Sequence, residues 1–168
     1  MLKKIDLAWI LAFPLYQTLG TLRHEASHAF AALLKGAQIE EFVFWPTVIT
    51  GVFRWGYVRY SGSVDWLFYA APYLCDLLTY SIFACVCMGI IFKKRWLWLN
   101  LVIVGMISPL VNSLYNYWGS QGSTNDVGTL FNVVPSFAVH AYFLLTISFY
   151  ALGIVLVFRY SKMKQAHQ

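Results

Sequence analysis

Apolar residues fall in four long runs, at about 7–34, 64–92, 96–117 and 137–160, with short stretches between them. A helix needs about 20 apolar residues to cross a bilayer, and each run is long enough. The first run contains Pro14 and Gly20 and carries Arg23-His24-Glu25-Ala26-Ser27-His28 in its second half. Charged groups that face lipid cost several kcal/mol, so this cluster is expected to face protein or water. Residues 35–63 follow a different pattern: aromatic and β-branched positions from Phe42 to Tyr60 are interrupted by Pro46, Gly51 and Gly56. That pattern predicts short strands and a turn, at about 40–61, lying at or dipping into the membrane surface. The expected fold is a mostly α membrane protein of about four transmembrane helices, with a β-rich aromatic hairpin between the first and second. It forms one integral-membrane domain over residues 1–168.

Composition strengthens this picture. The chain is 60% hydrophobic and 11% charged, against about a quarter charged in soluble domains, too little to cover a water-facing surface. Four spans also leave no room in 168 residues for a separate soluble domain. The 12 Lys and Arg outnumber the 7 Asp and Glu, yet they sit in short clusters between apolar runs rather than on one face. They read as topology signals, and no nucleic-acid partner is expected. Lys3, Lys4, Lys93, Lys94, Arg95, Arg159, Lys162 and Lys164 on one side, against Lys35, Arg54 and Arg59 on the other, place both termini in the cytoplasm. The expected setting is a multi-pass protein of a bacterial inner membrane. The opening Met1-Leu2-Lys3-Lys4 imitates a signal peptide, but the apolar run continues into the charged motif, so it is expected to stay as a membrane helix. Cys75, Cys85 and Cys87 share one apolar segment, and no disulfide framework is expected.

His24-Glu25-Ala26-Ser27-His28 has the form H-E-x-x-H. Residues four apart on a helix differ by about 400° of rotation, so both imidazoles leave one face and can share one Zn²⁺, with Glu25 beside them to handle a water proton. With four His and three Glu in the chain, about 0.002 such matches arise by chance. The plainer reading makes these residues hydrogen-bonding glue within a bundle. Placing Arg23, His24, Glu25 and His28 within two turns of a membrane helix is a heavy cost for glue alone. A catalytic zinc takes three protein ligands and keeps a fourth position open. Asp126, Asp76 and His140 are the available third ligands, and all lie in the appropriate half of the membrane. Asp76 sits about 16 Å below the outer end of its helix, close to the depth of His24. Asp126 reaches that depth only if the Gly/Ser-rich loop from Gly119 folds inward, and His140 reads most simply as an interfacial histidine. Depth alone leaves the choice open.

The H-E-x-x-H in the first apolar segment is followed by Ala29-Phe30-Ala31-Ala32-Leu33-Leu34-Lys35-Gly36, an aromatic β-rich stretch and a helix containing Ala70-Ala71-Pro72-Tyr73. This arrangement resembles the site-2 protease family of intramembrane zinc metalloproteases. The likeness covers nearly the whole chain, with the H-E-x-x-H as its one specific motif. It implies that His24 and His28 bind zinc, that Glu25 is the general base, and that Asp126, in Thr124-Asn125-Asp126-Val127-Gly128, is the third ligand. It also implies that Asn112, near Pro109, orients substrate; a polar contact between helices is the plainer role. The chain departs from the family where an Asn-x-x-Pro stretch would run into Leu-Asp-Gly: here Asn125 precedes the Asp and Val127 follows it. No regulatory domain fits in the length, so the likeness is to a minimal catalytic core.

The expected function is intramembrane zinc endopeptidase activity on membrane-spanning proteins or peptides within the lipid bilayer. The β-prone segment from Phe42 to Tyr60 would hold an unwound substrate strand by edge pairing; its plainer role is an aromatic belt at the surface. The alternative function is that of an inactive metal-binding membrane protein acting as chaperone, sensor or scaffold. A metal transporter has little support because carboxylates beyond Asp76 are scarce in the spans.

Overall fold

The computed structural model describes the backbone of residues 4–49, 51–90, 92, 95–120 and 125–166, with side chains described between residues 13 and 160. The fold is mostly helical. Helix α1 (Lys4–Leu34) covers the first apolar run and contains Pro14. It stops where a glycine permits: Gly36 adopts φ 78°, Ala37 N donates to Ala32 O at 3.1 Å and Gly36 N to Leu33 O at 3.0 Å. These paired bonds close the last turn and satisfy carbonyls that the helix leaves open.

Four short strands follow: β1 (Gln38–Val43), β2 (Thr47–Ile49), β3 (Val52–Arg54) and β4 (Tyr57–Ser61). They pair antiparallel as two nested ribbons, β1 with β4 and β2 with β3. The predicted β-rich segment is therefore present, but as two ribbons in succession along one arm. The outer ribbon shifts register between Ile39 and Glu41. Beyond it, Arg59 pairs with Glu41 at 3.3 Å, and Tyr57 Oη donates to Glu41 Oε1 at 2.5 Å, which raises the phenol pKa. The inner ribbon turns at Gly51, which has φ 80°. Its residues Val48, Val52 and Phe53 are exposed, as are Trp45 and Trp55 beside it.

Helix α2 (Trp66–Gly89) is capped by Asp65, whose side chain accepts from Leu67 N. Lys35 Nζ lies 2.6 Å from Asp65, joining the exit of α1 to the entrance of α2 and lowering the Asp65 pKa by its hydrogen bond to the carboxylate. The buried positions Phe68, Pro72, Tyr73, Asp76, Tyr80, Ala84 and Cys87 recur every three to four residues, which makes one continuous stripe along α2. The third run forms α3 (Arg95–Val102), a π-helical turn (Ile103–Ile107) and α4 (Ser108–Trp118). A short helix α5 (Asp126–Val133) and the long α6 (Ser136–Ala166) complete the chain.

The stripe of α2 feeds three cores, the first of which joins Phe68 to Ala32 and Ala37. Tyr80, Ala84 and Cys87 pack with Trp98, Val102, Met106, Tyr150 and Val157. Tyr73 packs with Val127 and Leu130 of α5 and with Val139 and Phe143 of α6. Among the described residues, three helices are long and apolar enough to cross a membrane: Trp66–Gly89, Arg95–Trp118 and Ser136–Tyr160. They coincide with the second, third and fourth apolar runs. Helix α1 has the length for a span at 31 residues but carries the charged cluster. Residues 3, 93 and 94 and the side chains of Lys4, Lys162 and Lys164, on which the expected orientation rests, lie outside the described set.

Helix α5 is not foreseen by the pattern of apolar runs, which leaves everything from 118 to 136 as connection. Residues 121–124 of that stretch lie outside the described set. Asn125 then caps the new helix by accepting from Gly128 N at 2.8 Å, and Asp126 follows as its first residue. Asn at the cap and Asp in the first turn favour a helix start electrostatically and by hydrogen bonding.

Candidate metal centre

Helix α1 places His24 and His28 one turn apart on a single face, and α5 brings Asp126 to meet them. Asp126 Oδ2 lies 3.2 Å from His24 Nε2 and 3.1 Å from His28 Nε2, and the two Nε2 atoms are 3.3 Å apart. These three side chains form a group that can hold a metal ion. His28 is 4% exposed, while the side chains of His24 and Asp126 are 15% and 24% exposed, so the group is open on one side.

Donor and acceptor rules give the site its character. His28 Nδ1 lies 2.8 Å from the Phe68 carbonyl. A carbonyl only accepts, so Nδ1 carries a proton, and in the single-proton tautomer Nε2 turns a bare lone pair toward Asp126. The carboxylate offers only lone pairs as well. Two acceptors at 3.1 Å need a proton or a cation between them, and a histidine fixed through its outer nitrogen is the usual way a protein aims a ligand at a metal. The Phe68 ring, whose centroid lies 4.5 Å from that of His28, packs beside it and lines the same cleft.

Glu25 is 8% exposed and lines a cleft of about 680 Å³ together with His24, His28 and Asp126. Its other walls are the end of β3, the start of β4 and the connection between them, from Phe53 to Val58, and Val111, Asn112, Tyr115 and Asn116 of α4. Gly56 brings this connection onto α1. A Cβ there would lie 2.7 Å from Thr21 Cγ2 and from Val43 O, and 2.9 Å from Glu25 Cγ. Gly56→Ala is therefore expected to destabilise the fold by about 1–3 kcal/mol, as overpacking does. It should lower the unfolding midpoint of detergent-purified protein. Gly89→Ala, where the added Cβ meets nothing within 4 Å, should not lower it; equal midpoints for Gly56→Ala and wild type would refute the close packing of arm against helix.

The other third-ligand choices are occupied elsewhere. Asp76 is 1% exposed; its Oδ1 accepts from Arg23 Nε at 2.7 Å and its Oδ2 from Asn112 Nδ2 at 2.8 Å. His140 Nδ1 lies 2.8 Å from Tyr117 Oη, and His140 is not part of the His24, His28 and Asp126 group. Asn112 sits beside the site, with Nδ2 3.3 Å from His24 Nδ1. Sequence reasoning missed Asn116 and Asn125. Asn116 Nδ2 donates to Asn112 Oδ1 at 2.9 Å, and Asn125 Nδ2 donates to Asn116 O at 3.1 Å. The cap preference of Asn125 was a readable signal; Asn116, one helical turn from Asn112, carried none of its own.

Against known proteins, no family model, no curated protein and no solved structure matches this chain.

Proposed function

We propose that the protein is a membrane-embedded zinc endopeptidase that cuts membrane-spanning polypeptides. The observation that carries the reading is the spacing of the three ligand atoms. Tetrahedral ligands at about 2.0–2.1 Å from zinc lie about 3.3 Å from each other, and the three separations here are 3.1, 3.2 and 3.3 Å. Two imidazoles and one carboxylate form a donor set suited to zinc, and three protein ligands leave a position open for chemistry.

When bound, zinc would supply a Lewis acid that lowers the pKa of water and polarises a peptide carbonyl. Glu25, next to His24 in the chain and lining the same cleft, takes the proton from the attacking water and returns it to the leaving amine. A peptide in a helix must unwind before its carbonyl is free to be attacked. The cleft wall from Phe53 to Val58 offers an extended backbone against which an unwound segment can lie, and the nearby aromatic residues offer apolar surface for its side chains.

The membrane setting rests on three helices of sufficient length and apolarity, with α1 as the fourth span. Its charged cluster is directed inward, against α2, α4 and α5, which is how a membrane helix accommodates such residues. A bacterial inner membrane with both termini in the cytoplasm agrees with the charge clusters.

The test uses the full chain purified in detergent and a membrane-spanning peptide reconstituted with it. Bound zinc near one equivalent, with cleavage that a chelator stops and added zinc restores, is the expected result. Well-folded protein without zinc, or zinc-loaded protein that cleaves none of a panel of such peptides, would overturn the reading.

A further inference from the structure

Arg23 and Asp76 form a buried ion pair at 2.7 Å, with side chains 15% and 1% exposed. Neither belongs to the ligand group, and the reaction as proposed uses neither. Burying two charges costs several kcal/mol, and well-packed apolar residues often replace such a pair at no loss of stability. The pair's connections point to another use.

Every donor of the Arg23 guanidinium that the structure engages is aimed at a fixed acceptor. Nε meets Asp76, Nη1 donates to Val104 O at 3.3 Å, and Nη2 donates to Ser108 Oγ at 3.3 Å. Val104 belongs to the π-helical turn, where the widened hydrogen-bond pattern displaces carbonyls from their α-helical positions. Gly20 lets α1 approach this segment, since a Cβ at that position would lie 3.1 Å from Ser108 Oγ. Asp76, held by Arg23, accepts only, so the bond to Asn112 at 2.8 Å fixes which end of that amide faces α2. Asn112 Oδ1 accepts from Asn116, and Asn116 O accepts from Asn125, the cap of the helix that begins with Asp126.

We propose that the Arg23–Asp76 pair is a positioning device for the metal centre. It acts through Asn112, Asn116 and Asn125 on the start of α5, and so on the placement of Asp126. The proposal rests on the zinc reading, and it adds residues outside the ligand set that determine how well the set is aligned. Partners behind metal ligands typically change metal affinity about 10–100-fold when removed.

The test compares wild type with Arg23→Met/Asp76→Leu, a paired replacement that leaves neither charge unpartnered, and with Asn112→Leu, which keeps the ion pair. The readouts are zinc affinity by chelator competition, the visible absorption of the Co²⁺-loaded protein, and the unfolding midpoint. The paired variant is expected to keep the wild-type midpoint, to bind zinc about 10–100-fold more weakly, and to shift the Co²⁺ bands. Asn112→Leu should do the same, and combining the changes should add little, because one path is being cut twice. Wild-type affinity and an unshifted Co²⁺ spectrum in the paired variant would show the pair to be a link between helices only. If that variant does not fold, Asn112→Leu with wild-type affinity and spectrum overturns the proposal. Wild type that binds neither metal overturns the zinc reading and this inference together, whereas wild type that binds both, beside variants that bind them equally well, overturns this inference alone.

Discussion

Glu25→Gln is expected to leave zinc bound at the wild-type level and to reduce peptide hydrolysis by about 10²–10⁴-fold, the usual contribution of a general base. The amide has nearly the same shape as the carboxylate and cannot take a proton. Glu25 is not a member of the ligand group, so its charge is not needed to hold the ion. It lies in the cleft with its Cγ against the position that a Gly56 Cβ would take, so the isosteric change preserves the packing of the strand arm. Metal content by atomic emission and turnover of a reconstituted membrane peptide measure the two effects separately. Loss of zinc along with activity would make Glu25 a ligand, and undiminished turnover would remove it from the chemistry.

The difference between these outcomes depends on how Glu25 is placed, and this was partly legible in the sequence. The i, i+4 spacing of His24 and His28 fixes a shared helix face, and the residue between them in register with neither must lie to one side. The apolar runs likewise gave the ends of α1 and α2 within a few residues, because Gly36 and Asp65 are local stop and start signals that do not depend on tertiary context. Helix α5 escaped because eight residues between two long runs leave almost no periodic pattern, and its stability comes from Val127 and Leu130 packing on Tyr73 and Phe143. The nested ribbons escaped for a similar reason: alternation predicts strands but not which strand takes which partner. Arg23 and Asp76 show what was available yet unused. Asp76 is the one carboxylate inside α2 and Arg23 the one cation between residues 7 and 34, and charges buried in apolar spans pair. That rule would have removed Asp76 from the ligand choices on sequence alone.

Asp126→Ala is expected to lose zinc under conditions where Asp76→Asn retains it in part. Four-ligand zinc sites bind with about 10–16 kcal/mol, or about 3 kcal/mol per ligand, so deleting one of three protein ligands should weaken binding by at least about 10²-fold. The geometry makes Asp126 the hinge of the set, since Oδ2 alone is within 3.2 Å of both imidazoles. Asp76 has both carboxylate oxygens engaged, by Arg23 and Asn112, and an oxygen committed to a guanidinium has little left to give a metal. Its replacement by Asn can reach the ion only through Asn112 and the Asn116–Asn125 link to the start of α5. Equilibrium zinc titration of the two variants beside wild type decides the matter. Equal, complete loss in both would mean that Asp76 turns into the site when metal arrives, and retention in Asp126→Ala would mean that the histidines recruit their third ligand elsewhere. The expected order, wild type tightest, then Asp76→Asn, then Asp126→Ala, follows from which carboxylate has an oxygen free to coordinate.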